Sequence, residues 1–508
     1  MLFQKRKEAE EMNNKTNVKE TIINAIANNK VVVLFVLLCI AAIWASGSSL
    51  TFVAGELFTR IGRNGFTVLA LLIPVLAGMG LNFGITIGAV AAQFAVFWVV
   101  YWGFGGITGW LLALVMATPI AILLGFLVGA LFNKMKGSEM IAGLVLGYFA
   151  DGIYQFIFLF VIGGIIPVKE TSGLIINGGV GVKNTIDLAG NLKYAVDSIS
   201  MLNLALIAFI VVVIAAIVRA ILFSKRGEKG AIKKAALTIV VAAVLYALTY
   251  IPAIERFLGS DRLLLLHGVT IIIVALIVKA VIDLIRFKSG KMTDHEYTPK
   301  KSVALIIACV LIYGATFIPS VEEVLLYVRI PVATYLAIAA LCFFNSWILH
   351  TRLGQEMRTV GQSRTVANAA GINVDRTRII AMILSTVLAC WGQLLYLQNI
   401  GTFSTYGAHT QIGQFAIAAL LVGGASVSKA TNKQAIIGVI LFHTLFIVAP
   451  QAGKELFNNA QLGEYFRVFV AYGVIAVSLA MHAWKRKAPK TEETENTDTT
   501  ETSAPAEA

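Results

Sequence analysis

The chain has 508 residues, 58% hydrophobic and only 14% charged, with a mean hydropathy of +0.80; soluble domains average roughly 25% charged, so a water-soluble globular protein is excluded. The net charge of +13 sits mostly in loop lysines and arginines, so it reports topology and contact with anionic lipid, not a nucleic-acid partner. Cys39, Cys309, Cys342 and Cys390 lie singly inside apolar runs, which excludes a disulfide framework and a paired-cysteine metal site.

Residues 1–30 carry six basic and four acidic side chains and no apolar run, and read as a cytoplasmic tail. Val31 to about Leu50 is the first predicted span, taken as an uncleaved helix because the charged leader is long for a signal peptide. Phe66–Leu81 and Ile85–Trp102 follow around a tight turn at Asn82–Gly84, then Thr108–Phe132 and Met140–Ile166. Gly125 with Gly129 and Gly143 with Gly147 have the spacing that lets helix backbones approach closely. Pro167–Ser200 is a polar, glycine-rich outer loop, its proline suited to the end of a helix.

A tandem repeat comes next. Lys233-Lys234, Tyr246, Thr249, Ile251-Pro252 and Glu255 recur 67 residues later as Lys300-Lys301, Tyr313, Thr316, Ile318-Pro319 and Glu322. Met201–Arg329 therefore reads as a duplicated two-helix hairpin adding four spans, whose inner loops each carry five Lys or Arg. Lys279 and Asp283, spaced i,i+4, are expected to pair.

The remaining spans are about Ile330–Leu349, Ile379–Ile400, Phe415–Val427, Ala435–Pro450 and Phe466–Trp484, with Phe415–Val427 short enough to be re-entrant. The fold class is thus all-α and polytopic, about 14 transmembrane helices with both termini cytoplasmic. Residues 485–508 begin with a basic anchor, and the acidic, threonine-rich remainder is expected to be disordered.

Between two spans lies a 28-residue polar loop, Thr351–Arg378, with five Arg against one Glu and one Asp. That bias marks it as cytoplasmic. Arg364–Ala370 reads as a short helix capped by Ser363, with Gly371 at its left-handed end and Asn373 or Asp375 capping the next helix. The series Gly354, Met357, Arg358, Gly361, then Ala369, Ala370, Gly371, Ile372, Asn373 and Val374 resembles the coupling loop of bacterial ABC importer permeases of the branched-chain amino acid, simple sugar and nucleoside group. The resemblance implies that Gly354, Met357, Arg358, Gly361, Arg364, Ala370, Gly371 and Ile372 couple the chain to an ATPase. It covers most of residues 31–200 and 330–484, two halves of a ten-helix permease core flanking the 201–329 insert. Lys136–Ala150, with Glu139 and Tyr148, is similar to the fifth-helix entry of nucleoside-type permeases, although Gly147 stands where those carry Asn. Leu421-Val-Gly423-Gly424 matches the family's Leu-Gly-Gly segment, but Lys429–Lys433 replaces the glycine-rich continuation.

The resemblance implies a permease subunit that imports a small polar solute, a nucleoside or simple sugar, by alternating access. Its partners would be ABC ATPase subunits, a second permease subunit, an extracytoplasmic solute-binding protein and the bilayer, with no nucleic acid. No cofactor is expected on this chain: it has no Gly-x-x-x-x-Gly-Lys-Ser/Thr phosphate loop, so ATP would be used by the partner ATPase. Neither a catalytic set nor a metal site is legible; His267 and His443 read as packed histidines. Asn64, Asn82, Gln93, Gln393 and Gln398 could line a path for a neutral solute, or serve as interhelical hydrogen bonds. Asp151 lies mid-helix in apolar surroundings, facing either a cavity or a neighbouring helix. An ion-coupled secondary transporter is the alternative class, and a membrane-bound enzyme stands third.

Overall fold

The computed structural model describes residues 29–176, 178, 180–225, 230–289 and 299–487. The tails at 1–28 and 488–508, for which a cytoplasmic tail and disorder were expected, and residues 226–229 and 290–298 of the two basic hairpin loops lie outside the described residues.

The first half of the chain comprises α1 (Lys30–Ser46), α2 (Leu50–Ala70), α3 (Leu72–Leu76), α4 (Ile85–Tyr101), α5 (Gly106–Lys134) and α6 (Glu139–Phe156), the last continued by a π-turn over Ile157–Val161. After β1 (Thr185–Asp187) the duplicated hairpins supply α7 (Met201–Lys225), α8 (Ala231–Ala247), α9 (Pro252–Leu258), β2 (Arg262–Leu264), α10 (Leu265–Lys288), α11 (Pro299–Ala315), α12 (Pro319–Tyr327) and β3 (Arg329–Pro331). The second half holds α13 (Val332–Ile348), α14 (Arg352–Gln362), α15 (Arg364–Ala369), α16 (Val374–Ile400), β4 (Thr402–Ser404), α17 (Ala408–Val422), α18 (Asn432–Phe457) and α19 (Ala460–Lys487). Among the described residues, seven helices are long and apolar enough to cross a membrane, or up to nine if each of two sharply bent pairs counts as one span. The chain is an all-α polytopic membrane protein.

The core is organised around α16, which packs along α5, α4 and α2. Small residues make this possible: Gly125 and Gly129 of α5 lie against Ile383 and Ile379 of α16, and Gly88 of α4 lies against Thr386 and Ala389. The glycine spacing therefore serves helix packing. Two short antiparallel pairs tie loops together, β1 to β4 with Ile186 opposite Phe403, and β2 to β3 with Leu263 opposite Ile330.

The repeat is structural as well as sequential. In each copy a proline starts the short helix after an extended residue (Ile251 before Pro252, Ile318 before Pro319). In each, a buried threonine hydroxyl donates back to a tyrosine carbonyl at 2.6 Å (Thr249 to Tyr246, Thr316 to Tyr313). The proline cannot donate to the preceding turn, so the helix is interrupted there in both copies. The bend measures 86° between α11 and α12.

Three expectations need correction. The second span was placed at Phe66–Leu81, but the helix begins at Leu50, where the Ser49 hydroxyl accepts from the Phe52 N–H at 3.3 Å; Glu56, Arg60 and Arg63 lower its hydropathy and hide its start. The expected i,i+4 pair between Lys279 and Asp283 is not among the ion pairs of the described residues. The short span Phe415–Val427 begins instead at Ala408, because partners satisfy its polar first turns: His409 meets Asp151, and Gln414 accepts from the Tyr472 hydroxyl at 2.8 Å.

Candidate functional site: the 351–378 knob and the polar cluster at the opposite end

Leaving α13, the chain turns by 74° into α14. Thr351 caps that helix, its hydroxyl accepting from Gly354 N at 3.2 Å. The sequence reading missed α14, because polar residues dominate it. Yet Met357 and Val360 recur at i,i+3 and are both buried, a one-sided apolar stripe that marks a helix lying on a surface. Val360, Ala367 and Val374 form a small core with Ile372 packed on it. α15 is built as the sequence predicts. The Ser363 hydroxyl accepts from Val366 N at 3.3 Å, and Asn373 Oδ1 accepts from Arg376 N at 2.9 Å. Gly371 has φ +77°, a conformation glycine adopts without strain.

Two glycines seat the knob. Gly361 of α14 meets the backbone of Leu76, the last residue of α3, and of Gly78 just after it, and a Cβ on Gly78 would lie 2.6 Å from Gly361 Cα. A side chain at either position would force the segments apart. Gly354 lies tight under the Ile348 carbonyl. The opposite face, with Arg358, Val366 and Ala370, is exposed.

Electrostatics lock the knob to its neighbours. Glu139, at the first turn of α6, is buried, and its Oε1 lies 2.7 Å from Arg378 Nη2 and 3.5 Å from Arg364 Nη1. Its Oε2 accepts from Gly137 N at 2.8 Å. Arg378 is fully buried and also donates to the Phe132 carbonyl at 3.1 Å. Beside it, Lys136 Nζ lies 2.6 Å from Asp375 Oδ1. One carboxylate thus joins the α5–α6 turn, the knob and the start of α16. Glu139 was singled out in the sequence, but its partners were not. Arg378, the last charged residue before the long apolar run of α16, was the available signal.

The six candidate path residues have different local surroundings. Asn64 donates within its own helix to the Arg60 carbonyl at 3.0 Å. Asn82 donates to Ser385 Oγ at 3.4 Å, and Ser385 to the Ala70 carbonyl at 3.2 Å, tying helices together. Gln93 and Gln393 are fully buried with both amide atoms unpartnered. Asp151 accepts from Gln155 at 3.0 Å and pairs with His409 of α17 at 2.6 Å, so a neighbouring helix supplies a partner for it. His267 packs edge-on against Phe257, and His443 against Phe442. Gln398 belongs to a second cluster, at the far end of α16. There the buried carboxylate of Asp197 accepts from Gln398 Nε2 at 3.0 Å, Asn399 Nδ2 at 3.0 Å and the Thr334 hydroxyl.

The described residues form an apolar helical bundle that carries a polar two-helix knob seated on it. The chain belongs to the family described as the branched-chain amino acid transport system permease component, whose model matches residues 199–479. It is similar to the fructose import permease protein FruG of Bifidobacterium longum, 30% identical over 19% of this chain and 28% of that protein. It is also similar to the nucleoside ABC transporter permease proteins NupB and NupC of Lactococcus lactis, each 30% identical, over 31% and 28% of this chain and 42% and 44% of theirs. The chain therefore spans less than half the length of the curated relatives it matches. No solved structure matches it.

Proposed function

We propose that this chain is the membrane-spanning permease subunit of an ATP-driven ABC importer in the bacterial plasma membrane, moving a nucleoside or a simple sugar by alternating access. The observation that carries the reading is the knob: two capped helices, seated backbone to backbone on the bundle and locked by Glu139, with an exposed outer face free for a partner. A loop serving only to reverse the chain needs about four residues; this one uses 28. On this reading Gly354, Met357, Gly361, Gly371 and Ile372 shape the knob, Arg364 holds it to Glu139, and Arg358 and Ala370 face the ATPase. The 14 predicted helices, a ten-helix core plus the duplicated hairpins, keep an even parity and put both termini and the knob on the cytoplasmic side. A solute-binding protein would deliver on the opposite face, and a second permease subunit would complete the pore.

Nucleosides are the preferred solute, supported by the Lys136–Ala150 resemblance and the two nucleoside permeases among the relatives. The test is uptake of labelled nucleoside by cells carrying the complete system, with unlabelled ribose and leucine as competitors. Uptake should stop when the ATPase is inactivated, and neither competitor should block it. Block by ribose, with indifference to nucleosides, would shift the solute to sugars. An ion-coupled carrier is the second reading, favoured by the Asp151–His409 pair. It predicts uptake that survives ATPase inactivation and collapses with an uncoupler.

A further inference from the structure

Glu56, Arg60 and Arg63 lie at i, i+4 and i+7 on α2, one stripe of a helix packed against α13, α16 and α18. Ionisable side chains inside a membrane bundle usually mark a solute or ion path. Two of the arginines have acids: Arg60 lies 3.9 Å from Glu56, and Arg467 of α19 pairs with Glu464. Arg63 has none within 4 Å among the described residues. Its Nε donates to Asn399 Oδ1 at 3.0 Å, and the Asn399 amide is oriented by Asp197, which accepts from Nδ2 at 3.0 Å. The carboxylate fixes which end of the amide faces Arg63. The amide in turn holds the guanidinium by Nε alone, leaving the Nη1–Nη2 edge without a partner among the described residues. His443, 2% exposed with both ring nitrogens unpartnered, lies within the electrostatic reach of Arg60 and Arg63, as Arg467 lies within that of Arg60. The cluster sits toward the end of the bundle opposite the knob.

We propose that the open edge of Arg63 is a solute-contact site that takes a pair of adjacent hydrogen-bond acceptors, and so selects 6-oxopurine nucleosides over adenosine; the inference rests on the nucleoside reading above. The guanidinium is a planar fork of donors with no acceptor. It matches two adjacent acceptors, such as the N7 and carbonyl oxygen of a 6-oxopurine. Adenine places an amine donor at the corresponding position, where it meets the guanidinium donor to donor. Asp197 and Asn399 are positioning residues that aim the fork before the solute arrives.

The experiment uses cells carrying the complete system and compares labelled inosine with labelled adenosine for the wild type, Arg63→Gln and Arg63→Lys, normalised to permease in the membrane. The delivering protein is common to all three, so its own selectivity cancels in each variant-to-wild-type ratio. Arg63→Gln should lower inosine uptake about tenfold, the scale a bidentate arginine contact discriminates, and change adenosine uptake less than about twofold. Arg63→Lys keeps the charge and loses the fork, so it should fall on the same side for inosine. Equal loss of both nucleosides in a normally inserted Arg63→Lys protein would overturn the proposal and leave the nucleoside reading standing. A wild type that takes up neither nucleoside while importing ribose would overturn both.

Discussion

Glu139→Leu is the perturbation that most directly probes the lock between the knob and the bundle. It removes the ion-pair partner, at 2.7 Å, of a fully buried Arg378. Two other nitrogens of that guanidinium, Nε and Nη1, are already buried without partners. The variant leaves the guanidinium with one neutral acceptor, the Phe132 carbonyl at 3.1 Å. Breaking a buried pair from one side costs about 3–5 kcal/mol. The neighbouring Lys136–Asp375 pair is an internal control: its side chains are 41% and 56% exposed, so its loss should cost about 0–1 kcal/mol. Double-mutant cycles on purified protein in detergent, using denaturant unfolding of Glu139→Leu, Arg378→Leu and the pair, read the coupling directly. The Glu139–Arg378 coupling should exceed the Lys136–Asp375 coupling several-fold, and the double variant should recover much of the single-variant loss. Equal coupling energies for the two pairs would refute the argument that burial makes this carboxylate the lock.

Replacing Gly361 with Val should leave membrane insertion intact and abolish uptake while ATPase activity persists, because the new side chain strikes the Leu76 carbonyl; uptake in proteoliposomes checks it. Gly371→Val, at φ +77°, should act in the same direction and more weakly, since open space surrounds that position. Deleting Met201–Arg329 with a short linker should preserve parity, so a cysteine placed in the 351–378 loop should remain inaccessible to an impermeant reagent added outside. Asp151→Ala strands the fully buried His409, so thermal inactivation in detergent should come earlier, and the joint replacement of both by leucine should restore part of the loss.

Much of this was legible because local chemistry dictated it. Ser363, Gly371 and Asn373 announced their caps by residue type alone, and the repeated Ile-Pro steps of the duplicated hairpins recur as two short helices that start on proline. Packing around Gly125 and Gly129 followed from spacing. What the sequence concealed were contacts between residues far apart in the chain. Nothing near Glu139 points to Arg378, 239 residues away, and nothing near Arg63 points to Asn399, 336 residues away. Hydropathy also misled where charge and burial coincide, so the stripe that begins at Glu56 looked like a connection and not a helix. The amides chosen as a path were sound candidates by type, but a type does not reveal whether an amide is spent on a helix tie, as Asn82 is.

The contact between Gly361 and Gly78 has a mechanical meaning. Side chains between two moving parts act as bearings, because each can change rotamer and absorb part of a displacement. Here main chain touches main chain, with no rotamer in between, so a push on α14 reaches the segment after α3 without slack. Stiffness of this kind favours complete transmission over adjustability. It also makes the joint intolerant: even one added methyl group would hold the two parts apart at rest.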